Sequence, residues 1–439
     1  MNVPQRYQKG QALILIALAI VAMVSFLALA IDGGNAFADR RQAQNAADAA
    51  ALAAAMRYAQ DTTLTNTYFN TLVVQRTTEN GYNNTQPRST VVLTIEEAPA
   101  NQCPEFVDEP GLHFTVDIDS NSPTWFGRIL GINTMHNHVT SKALSCPAVH
   151  EPAFKGTAVV ALNKTVCQAI KISGTSNTQV TSSTNQGLYV ASSCTDVPTN
   201  PQNALYGGSG SVSAPSVSVV GGAYGSSIFL PTVVQTGVAR INSLYDWPGI
   251  DALCPASTPT MTVSGNSLTP GVFPGSNNSW TNKVFPPAGI QTLQPGVYCL
   301  DNDFKTTNSD TLNGTGVIIV QRRGEINIQG GAINLAAPND ANSVYRGLLF
   351  YMPESNTDTY GSLSKGITIA GSGSSQYDGS IVAPYAHVTI NGSSATDGPF
   401  KTQVIADTIT LGGGGTLTLV YDAEQQYKPP IPAGIQLIK

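Results

Sequence analysis

The sequence predicts a mainly β protein with one N-terminal membrane helix, an adjacent small α/β domain, and a C-terminal β-solenoid of the right-handed β-helix type. Three observations lead to this fold class. An uncharged apolar run of 20 residues extends from Ala12 to Ile31. Short β-branched runs recur every 21 residues near the C-terminus. The 439-residue chain has 41 Gly, 27 Pro and only 11% charged residues, a composition typical of extracellular β proteins with many turns.

The apolar run indicates the compartment. At 1.5 Å per residue it spans about 30 Å, the thickness of a bilayer's hydrocarbon core. Because Arg6 and Lys9 precede the run, we expect a cytoplasmic stub at residues 1–10, a transmembrane helix at 11–31 and extracytoplasmic domains after it. Arg40 and Arg41 partly oppose this orientation. A cleaved secretory signal is the alternative, although its apolar core usually has roughly 7 to 15 residues.

A small domain is predicted over residues 32–150. Strong helix formers continue from Asn35 to Tyr58. Strand-like runs follow, and one segment between the last two of them resembles a short amphipathic helix. The strands are Val91–Ile95, His113–Ile118 and His138–Ala143, and the helical segment is Pro123–Ile132. A long helix packed on a small antiparallel sheet is similar to a pilin head, so we expect a pilin-like α/β domain.

The 21-residue period indicates a repeat architecture over residues 151–425. The runs that begin at Ile367, Val388 and Ile409 start 21 residues apart. One repeat cannot bury its apolar side chains alone, so we expect Ile367 to stack over Val388 and Val388 over Ile409. A β-sandwich is the structural alternative. The Pro-rich residues 223–300 are predicted to cross the solenoid as a covering segment, and residues 426–439 to form an extended tail.

The six cysteines are even in number, scattered and free of CxxC pairs. In an exported chain this pattern predicts three disulfides. Sequential pairing places each bond inside one predicted domain or subdomain. The expected pairs are therefore Cys103 with Cys146, Cys167 with Cys194, and Cys254 with Cys299. Buried free thiols are the alternative.

Motifs that would indicate chemistry are absent from the sequence. It contains no phosphate-binding loop, nucleophile elbow, zinc-protease motif or EF-hand loop. A formal net charge of -6 without a basic block argues against nucleic-acid binding. We expect no catalytic residue, no metal site and no cofactor.

Three groups of polar residues are the strongest candidates for a catalytic or metal site. A polysaccharide-active β-helix enzyme needs clustered carboxylates, and Asp301 and Asp303 with Arg322-Arg323 are the nearest candidates. They do not recur at the repeat spacing. Asp301, Asp303 and Asp310 match no standard calcium loop and are explained by turn formation. His136 and His138 would face the same side of a strand, but no third metal ligand accompanies them.

The N-terminal segment resembles the TadG-like (TadE/G-like) family of the tight-adherence, or Flp, pilus machinery. The matching residues are Gly10-Gln11-Ala12-Leu13, the apolar run, Ala30-Ile31-Asp32-Gly33, and the Ala-rich stretch from Arg41 to Leu52. The resemblance implies a pilus-associated or pseudopilin-like envelope protein whose partners are the lipid bilayer and other Tad pilus-assembly proteins. Type IV pilins are cut after a Gly, so Gly10 is a possible cleavage site. They also carry a Glu at the fifth mature position, where this chain has Leu15, which favours a permanent anchor.

The resulting hypothesis is a membrane-anchored cell-surface protein of the Tad type with a structural or adhesive role and no enzyme activity. One alternative is a surface adhesin or carbohydrate-binding protein that binds a surface glycan and is unrelated to a pilus. A β-helix enzyme acting on polysaccharides is the second alternative.

Overall fold

The computed structural model describes residues 11–85, 88–99, 102–103, 111–147, 149–175, 177–195, 203–230, 232–241, 245, 247–273, 284–341, 343–353, 366–371, 374–392, 400–431 and 433–438. The chain divides into two compact units. Unit 1 comprises Met1–Val149 and Pro432–Lys439, and unit 2 comprises His150–Ile431. Unit 2 is thus inserted into the sequence of unit 1.

Unit 1 begins with one long helix, α1 (Gln11–Gln60). The C-terminal half of α1 buries a stripe of alanines with helical spacing, all fully buried: Ala43, Ala46, Ala47, Ala50, Ala51, Ala54 and Ala55. Alanine has the highest helix propensity, and its small side chain allows other elements to approach closely. Tyr58 continues the stripe, with its ring centroid 5.9 Å from that of Phe114. The helix is therefore amphipathic only beyond its apolar N-terminal part.

A second helix, α2 (Asn66–Glu79), follows and is absent from the sequence prediction. Thr65 caps it by accepting a hydrogen bond from the N–H of Tyr68 at 3.4 Å. Phe69, Val73 and Thr77 are buried at four-residue intervals, which gives the helix one packing face. Leu72 and Val74 are apolar residues outside this face, and most other positions are polar, so the apolar period in the sequence is weak.

The sheet of unit 1 is antiparallel. Its strands are β1 (Ser89–Glu97), β2 (Leu112–Pro123), β3 (Thr134–Cys146) and the last strand of the chain, β32 (Gly434–Ile438), in the order β1-β2-β3-β32. Phe114, Val116 and Ile118 of β2 are fully buried, and they form one hydrophobic cluster with the alanine stripe of α1. The predicted amphipathic helix over Pro123–Ile132 is reduced to a 3-10 turn, Gly127–Leu130, which ends where Gly131 adopts a φ of 84°.

Unit 2 consists mostly of short strands. Those before residue 240 are β4 (Val149–His150), β5 (Val159–Ala161), β6 (Ile170–Gly174), β7 (Asn177–Ser182), β8 (Leu188–Val190), β9 (Leu205–Gly207), β10 (Ser211–Ser213), β11 (Val217–Val219), β12 (Ala223–Tyr224) and β13 (Val234–Thr236). Its short helical turns are α3 (Ala153–Gly156), a 3-10 turn at Ser226–Ile228, and α4 (Ile250–Leu253).

The later strands of unit 2 are longer on average. They are β14 (Val263–Ser264), β15 (Ser267–Leu268), β16 (Gly271–Phe273), β17 (Thr292–Leu293), β18 (Gly296–Leu300), β19 (Phe304–Thr306), β20 (Thr311–Thr315), β21 (Val317–Gln321), β22 (Ile326–Ile328), β23 (Ala332–Ala336), β24 (Leu348–Tyr351), β25 (Ile367–Ala370), β26 (Gln376–Asp378), β27 (Ser380–Gly392), β28 (Phe400–Lys401), β29 (Val404–Gly413), β30 (Thr416–Tyr421) and β31 (Pro430–Ile431).

Apart from β4 and β31, which form a separate two-stranded sheet, these strands pair in three ladders, and the pairs within the ladders are parallel except for β14 with β15. The first ladder has the order β13-β11-β8-β5-β29-β27-β24-β21-β18-β16. The second has the order β10-β7-β30-β28-β26-β23-β20-β17-β15-β14. The third contains β12, β9, β6, β29, β27, β25, β22 and β19. In all three, strands from the start of unit 2 stack directly on strands from its end.

The predicted register of the late repeats is the observed one. In the third ladder Ile367 pairs with Val388, and Val388 pairs with Ile409. Ile409 pairs in turn with Ile170, which belongs to the beginning of the unit. All four side chains are fully buried in one core cluster. The apolar rows of neighbouring strands therefore form one continuous core, although the stacking order differs from the chain order.

The predicted covering segment at 223–300 is wrong over much of its length. Within that range, β14 to β18 belong to the ladders, because Leu268, Phe273 and Leu293 fill the core. A shorter segment, the covering piece, does lie on the outer face of the first ladder and includes Trp247 and α4. Trp247 packs on two hydrophobic clusters there, one around Tyr189 and one around Tyr351. Parallel sheets need cover on both faces, and this piece supplies it.

The predicted extended tail at 426–439 contains two short strands, β31 and β32, so its backbone is extended and also paired. Gln426 and Tyr427 are only 3% and 1% exposed, and the Tyr427 N–H donates to Ser380 Oγ at 2.9 Å. Farther on, β32 pairs antiparallel with β3, so that Ile438 lies opposite Lys142. The prolines at 429, 430 and 432 predict an extended backbone. They do not predict its pairing, because the partner strand lies almost three hundred residues earlier and leaves no local sequence signal.

All three predicted disulfides are present. Cys103 bonds to Cys146 in unit 1, and the Cα atoms are 5.9 Å apart. In unit 2, Cys167 bonds to Cys194 and Cys254 bonds to Cys299. The last bond ties the end of α4 to β18, where Cys299 is fully buried. It thereby fixes the covering piece to the first ladder.

Candidate functional site

The N-terminal part of α1 is long and apolar enough to cross a membrane. An 18-residue window within it has a mean hydropathy of 3.0, and none of that window is buried by the rest of the chain. Its large apolar side chains, from Leu13 to Ile31, are 45% to 73% exposed. Such a surface needs an apolar environment, which a bilayer provides.

Asp32 is the first charged residue after this apolar part of α1. Its carboxylate accepts three backbone N–H groups, from Trp125 at 2.7 Å, Phe126 at 3.0 Å and Gly127 at 2.7 Å. The Trp125 N–H has the largest influence on the pKa of Asp32. With the other two N–H groups it lowers that pKa, although burial acts in the opposite direction. Asp32 therefore ties the segment after β2 to the helix as a carboxylate.

The segment that Asp32 binds forms a loop whose own backbone groups hydrogen-bond to one another. The Thr124 N–H donates to the Asn133 carbonyl at 3.1 Å, and the Ile132 N–H donates to the Gly127 carbonyl at 2.9 Å. The Thr124 hydroxyl also donates to the Ile132 carbonyl. Residues 124–133 thus form a compact loop between β2 and β3 in which most backbone N–H groups have acceptors.

Asp39, two helical turns beyond Asp32, makes a second link between α1 and the sheet. Its carboxylate accepts hydrogen bonds from Ser120 Oγ at 2.6 Å, Asn137 Nδ2 at 2.7 Å and the Tyr82 hydroxyl at 3.0 Å. Burial alone would raise the pKa of Asp39. The hydrogen bonds outweigh burial and lower that pKa, so the ionised form stabilises the fold.

These two carboxylates lie in the part of the chain for which a relationship to known proteins is found. Residues 10–57 match the family model described as "Putative Flp pilus-assembly TadE/G-like". The match is confined to what we call the TadE/G-like segment, residues 10–57, which includes Asp32, Asp39 and the alanine stripe up to Ala55. Neither a curated protein nor a solved structure matches the chain.

An apolar groove runs between the TadE/G-like segment and the loop after β2. It has a volume of about 600 Å³. Its lining residues are Ile20, Val21, Val24, Ser25, Ala28, Leu29 and Asp32 from α1, and Thr124, Phe126, Gly127, Ile129, Ile132 and Met135 from the loop and the start of β3. The groove lies beside the apolar part of α1.

Sequence reasoning pointed to the TadE/G-like segment but not to Asp32 or Asp39 as linking residues. The available signal was their position, since they are the first carboxylates after an uncharged helical run. Their partners lie between 43 residues away, for Tyr82, and 98 residues away, for Asn137, and no local pattern reveals them. Gly10, the possible cleavage site, lies outside the described residues, as does the rest of the predicted stub at 1–10.

His136 and His138 lie on the exposed outer face of β3, as expected for two residues of one strand. Asp119 of β2 lies between them, with its Oδ1 2.9 Å from His138 Nδ1 and 3.3 Å from His136 Nε2. No group of three or more His, Cys, Asp or Glu side chains suited to a metal ion occurs in the described parts of the chain.

The carboxylates considered for catalysis are engaged in ion pairs. Asp301 Oδ2 lies 2.5 Å from Arg322 Nη2. Lys305 Nζ lies 2.8 Å from Asp303 and 3.0 Å from Glu325, and the hydrogen bond to Asp303, followed by that to Glu325, raises the pKa of Lys305. Asp310 accepts the Thr307 N–H at 2.6 Å within a turn. These contacts give each carboxylate a structural partner.

Proposed function

We propose that this protein is a membrane-anchored envelope protein of Tad (Flp) pilus assembly, with a structural or adhesive role and no catalysis. One observation carries the proposal: the family match at residues 10–57 falls on a helix that is long and apolar enough to cross a membrane. The partners that follow from it are the bilayer and other Tad pilus-assembly proteins.

Two features support an N-terminus in the cytoplasm and later domains outside it. Arg6 and Lys9 precede the span, in agreement with the excess of positive charge on cytoplasmic flanks. Three disulfides indicate an oxidising compartment for the residues after the span. Both features support the same single-pass orientation, in which the domains after the span lie outside the cytoplasm.

The architecture suits a display role. Unit 1 is a pilin-like arrangement of a long helix on an antiparallel sheet. Unit 2 is a β-solenoid, for which parallel pairing and the continuous Ile367–Val388–Ile409 row are the support. Stacked repeats bury one continuous core and form a rigid rod with a large surface for contacts. The polar exterior and the ion-paired Asp301 and Asp303 favour binding over catalysis.

Anchoring is permanent in this proposal. A type IV pilin relies on a Glu at the fifth position after its cleavage site, whereas Leu15 stands there after Gly10. An apolar residue at that position cannot provide the charge that docks one subunit on the next. The protein would therefore act on the assembly machinery from the membrane and would not be a repeating subunit of the filament.

The test compares three forms of the protein in the bacterium that produces it: wild type, a deletion of residues 11–31, and a variant in which residues 11–31 are replaced by an unrelated apolar helix of equal length. We expect wild type and the replacement to fractionate with membranes and the deletion to be soluble. Only wild type should co-purify with Tad assembly proteins and support normal piliation. Normal pili in the absence of the protein, with no Tad protein co-purifying, would overturn the proposal.

A surface-adhesin role that binds a glycan is the second candidate, and one observation favours it. Tyr206 and Tyr224 pair on neighbouring strands of the third ladder, and their rings stack with centroids 5.3 Å apart and an interplanar angle of 13°. Tyr224 is 41% exposed, so the stack presents an aromatic surface to the solvent. Glycan-array binding that is lost in the Tyr206→Ala, Tyr224→Ala double variant, with Tad co-purification unchanged, would establish this role.

A further inference from the structure

We propose that residues 125–132, the interfacial loop, insert into the extracytoplasmic leaflet of the bilayer that α1 crosses, with lipid acyl chains filling the groove between loop and helix. The inference rests on the proposed function, because it requires α1 to span the membrane. It adds a second membrane contact, which would hold unit 1 at a fixed depth.

Large apolar side chains of the interfacial loop are exposed, which is the first observation in favour of insertion. Trp125, Ile129 and Ile132 are 72%, 81% and 54% exposed within eight residues of sequence. Soluble surfaces rarely carry such a concentration of large apolar side chains unless a partner covers it. Ile129 and Ile132 also line the groove, and its opposite wall consists of span residues.

The second support is the position of the groove along α1. Its lining runs from Ile20 to Asp32. At 1.5 Å per residue this is about 18 Å of helix, which reaches from near the middle of a hydrocarbon core about 30 Å thick to its outer boundary. Acyl chains that cover the exposed side of α1 at this level would therefore meet the interfacial loop directly.

The polar side chains that line the groove already make hydrogen bonds within the chain, which is the third observation in favour of insertion. The Ser25 hydroxyl donates to the Val21 carbonyl at 2.8 Å. The Thr124 hydroxyl donates to the Ile132 carbonyl, and the Asp32 carboxylate accepts three N–H groups. No lining side chain in the described groove is left to recognise a polar ligand, so an apolar occupant fits best.

The fourth support is the backbone of the loop. Irregular backbone enters the apolar region of a membrane only when its polar groups are satisfied internally. Besides the N–H groups bound by Asp32, the Ile129 N–H donates to the Phe126 carbonyl at 3.0 Å, and the Gly131 N–H donates to the Arg128 carbonyl at 3.1 Å. At least six of the eight backbone N–H groups of the interfacial loop therefore have acceptors within the chain.

The residue types of the interfacial loop match a membrane interface. Tryptophan is enriched at the level of the lipid headgroups because its ring is apolar and its N–H is polar. The exposed Arg128 lies between Trp125 and Ile129 in the loop. A long arginine side chain can keep its stem in an apolar layer while its guanidinium reaches the phosphates.

The test uses full-length protein reconstituted into phosphatidylcholine vesicles with brominated acyl chains, which quench tryptophan fluorescence on contact. The chain has three tryptophans. A variant with Trp247→Phe and Trp280→Phe reports on Trp125, and a matched variant with Trp125→Phe and Trp280→Phe reports on Trp247 of unit 2. We expect Trp125 emission to shift to the blue and to lose most of its intensity with brominated lipid, and Trp247 emission to be unaffected by it.

A second pair of variants tests the loop without changing the probe. In the Trp125 reporter, Ile129→Asn should weaken quenching by brominated lipid, because a polar side chain opposes insertion. Val92→Asn is the matched control: Val92 is also an exposed apolar residue of unit 1, at 54%, but it lies on β1 and does not line the groove. Both side chains are exposed, so neither change should shift the unfolding midpoint.

The outcomes separate this inference from the proposed function. Protein that fails to float with the vesicles would contradict the anchoring by α1. Protein that floats while Trp125 is quenched by aqueous iodide and not by brominated lipid would overturn the insertion of the loop. Protein that floats while Trp125 is shielded from both quenchers would also overturn it, because a second polypeptide would then fill the groove.

Discussion

Asp39 of α1 accepts the hydroxyl hydrogen of Ser120 in β2 at 2.6 Å, although the two residues are 81 positions apart. The bond fixes how far along the sheet the helix can slide, because Asn137 and Tyr82 bind the same carboxylate from two other directions. A change of one helical turn would break all three contacts. Asp39 therefore sets the register between the TadE/G-like segment and the sheet.

Removing the charge of Asp39 should lower the stability of unit 1 at neutral pH. For Asp39→Asn we expect a loss of roughly 1 kcal/mol in the free energy of unfolding, since the residue is partly exposed and solvent screens the charge. Because the pKa of Asp39 is lowered in the folded state, its contribution is present above the unfolded pKa and disappears as the pH falls below about 4. Denaturant unfolding of full-length protein in detergent from pH 7 to pH 3 measures this.

The difference between wild type and Asp39→Asn should accordingly shrink as the solution becomes acidic. Asp48→Asn is the matched control on the same helix, where the carboxylate accepts a hydrogen bond from Gln44 Nε2 at 2.8 Å. It should change the unfolding free energy little. A constant difference for Asp39→Asn over the whole pH range would contradict the role given to its ionised form.

The stacking of Ile409 on Ile170 can be tested by a double-mutant cycle. Both side chains are fully buried and paired in the third ladder, so each change to Ala should cost about 2–5 kcal/mol. Because they touch, the two costs should deviate from additivity by at least about 0.5 kcal/mol. Ile170 with Ile326 is the control pair: it is four ladder steps, or about 19 Å, apart and should be additive. Additivity in both pairs would refute the stacking order.

The glycine run after Ile409 allows a comparison between adjacent residues. Gly413 has a φ of 110°, and a Cβ there would meet the Gly392 carbonyl oxygen. Gly413→Ala should therefore destabilise unit 2 by roughly 1–3 kcal/mol. Gly414→Ala should be neutral or slightly stabilising, since nothing lies within 4 Å of a Cβ at that position. Thermal unfolding of the two variants, if indistinguishable, would argue against a tight corner at Gly413.

The disulfide between Cys254 and Cys299 should contribute more than the one between Cys167 and Cys194. Cys254 and Cys299 are almost fully buried, and their bond closes the longer stretch of chain, with a sequence separation of 45 against 27. Replacing both residues by Ala should cost about 2–5 kcal/mol. Peptide mapping without reduction checks the pairing first, and chemical unfolding of both double variants then ranks the two bonds. An equal or reversed ranking would show that burial of the bond is not decisive.

The parts of the fold that could be predicted from sequence are those with a local period. The apolar run before Asp32 predicts the apolar part of α1, and the 21-residue spacing predicts the register of Ile367, Val388 and Ile409. The disulfide pairs followed from keeping each bond within one domain. In all three cases the deciding information lies within a few tens of residues.

The unpredicted parts depend on distant partners. Helix α2 has a buried row of only Phe69, Val73 and Thr77, too weak to stand out in a Thr- and Asn-rich segment. Asp32 and Asp39 are recognisable as linking residues only once the loop after β2 and the sheet are in place. The pairing of β32 with β3, and of Ile170 with Ile409, joins segments that no local period relates.

Because β32 completes the sheet of unit 1 from beyond unit 2, the order of synthesis has a consequence for biogenesis. The chain is synthesised from its N-terminus, so the edge of β3 at residues 142–146 stays unpaired until residues 150–431 have been made. A molecule truncated or stalled within unit 2 keeps that strand edge bare and open to pairing with another chain. Completion of the sheet of unit 1 thus requires the synthesis of unit 2 first.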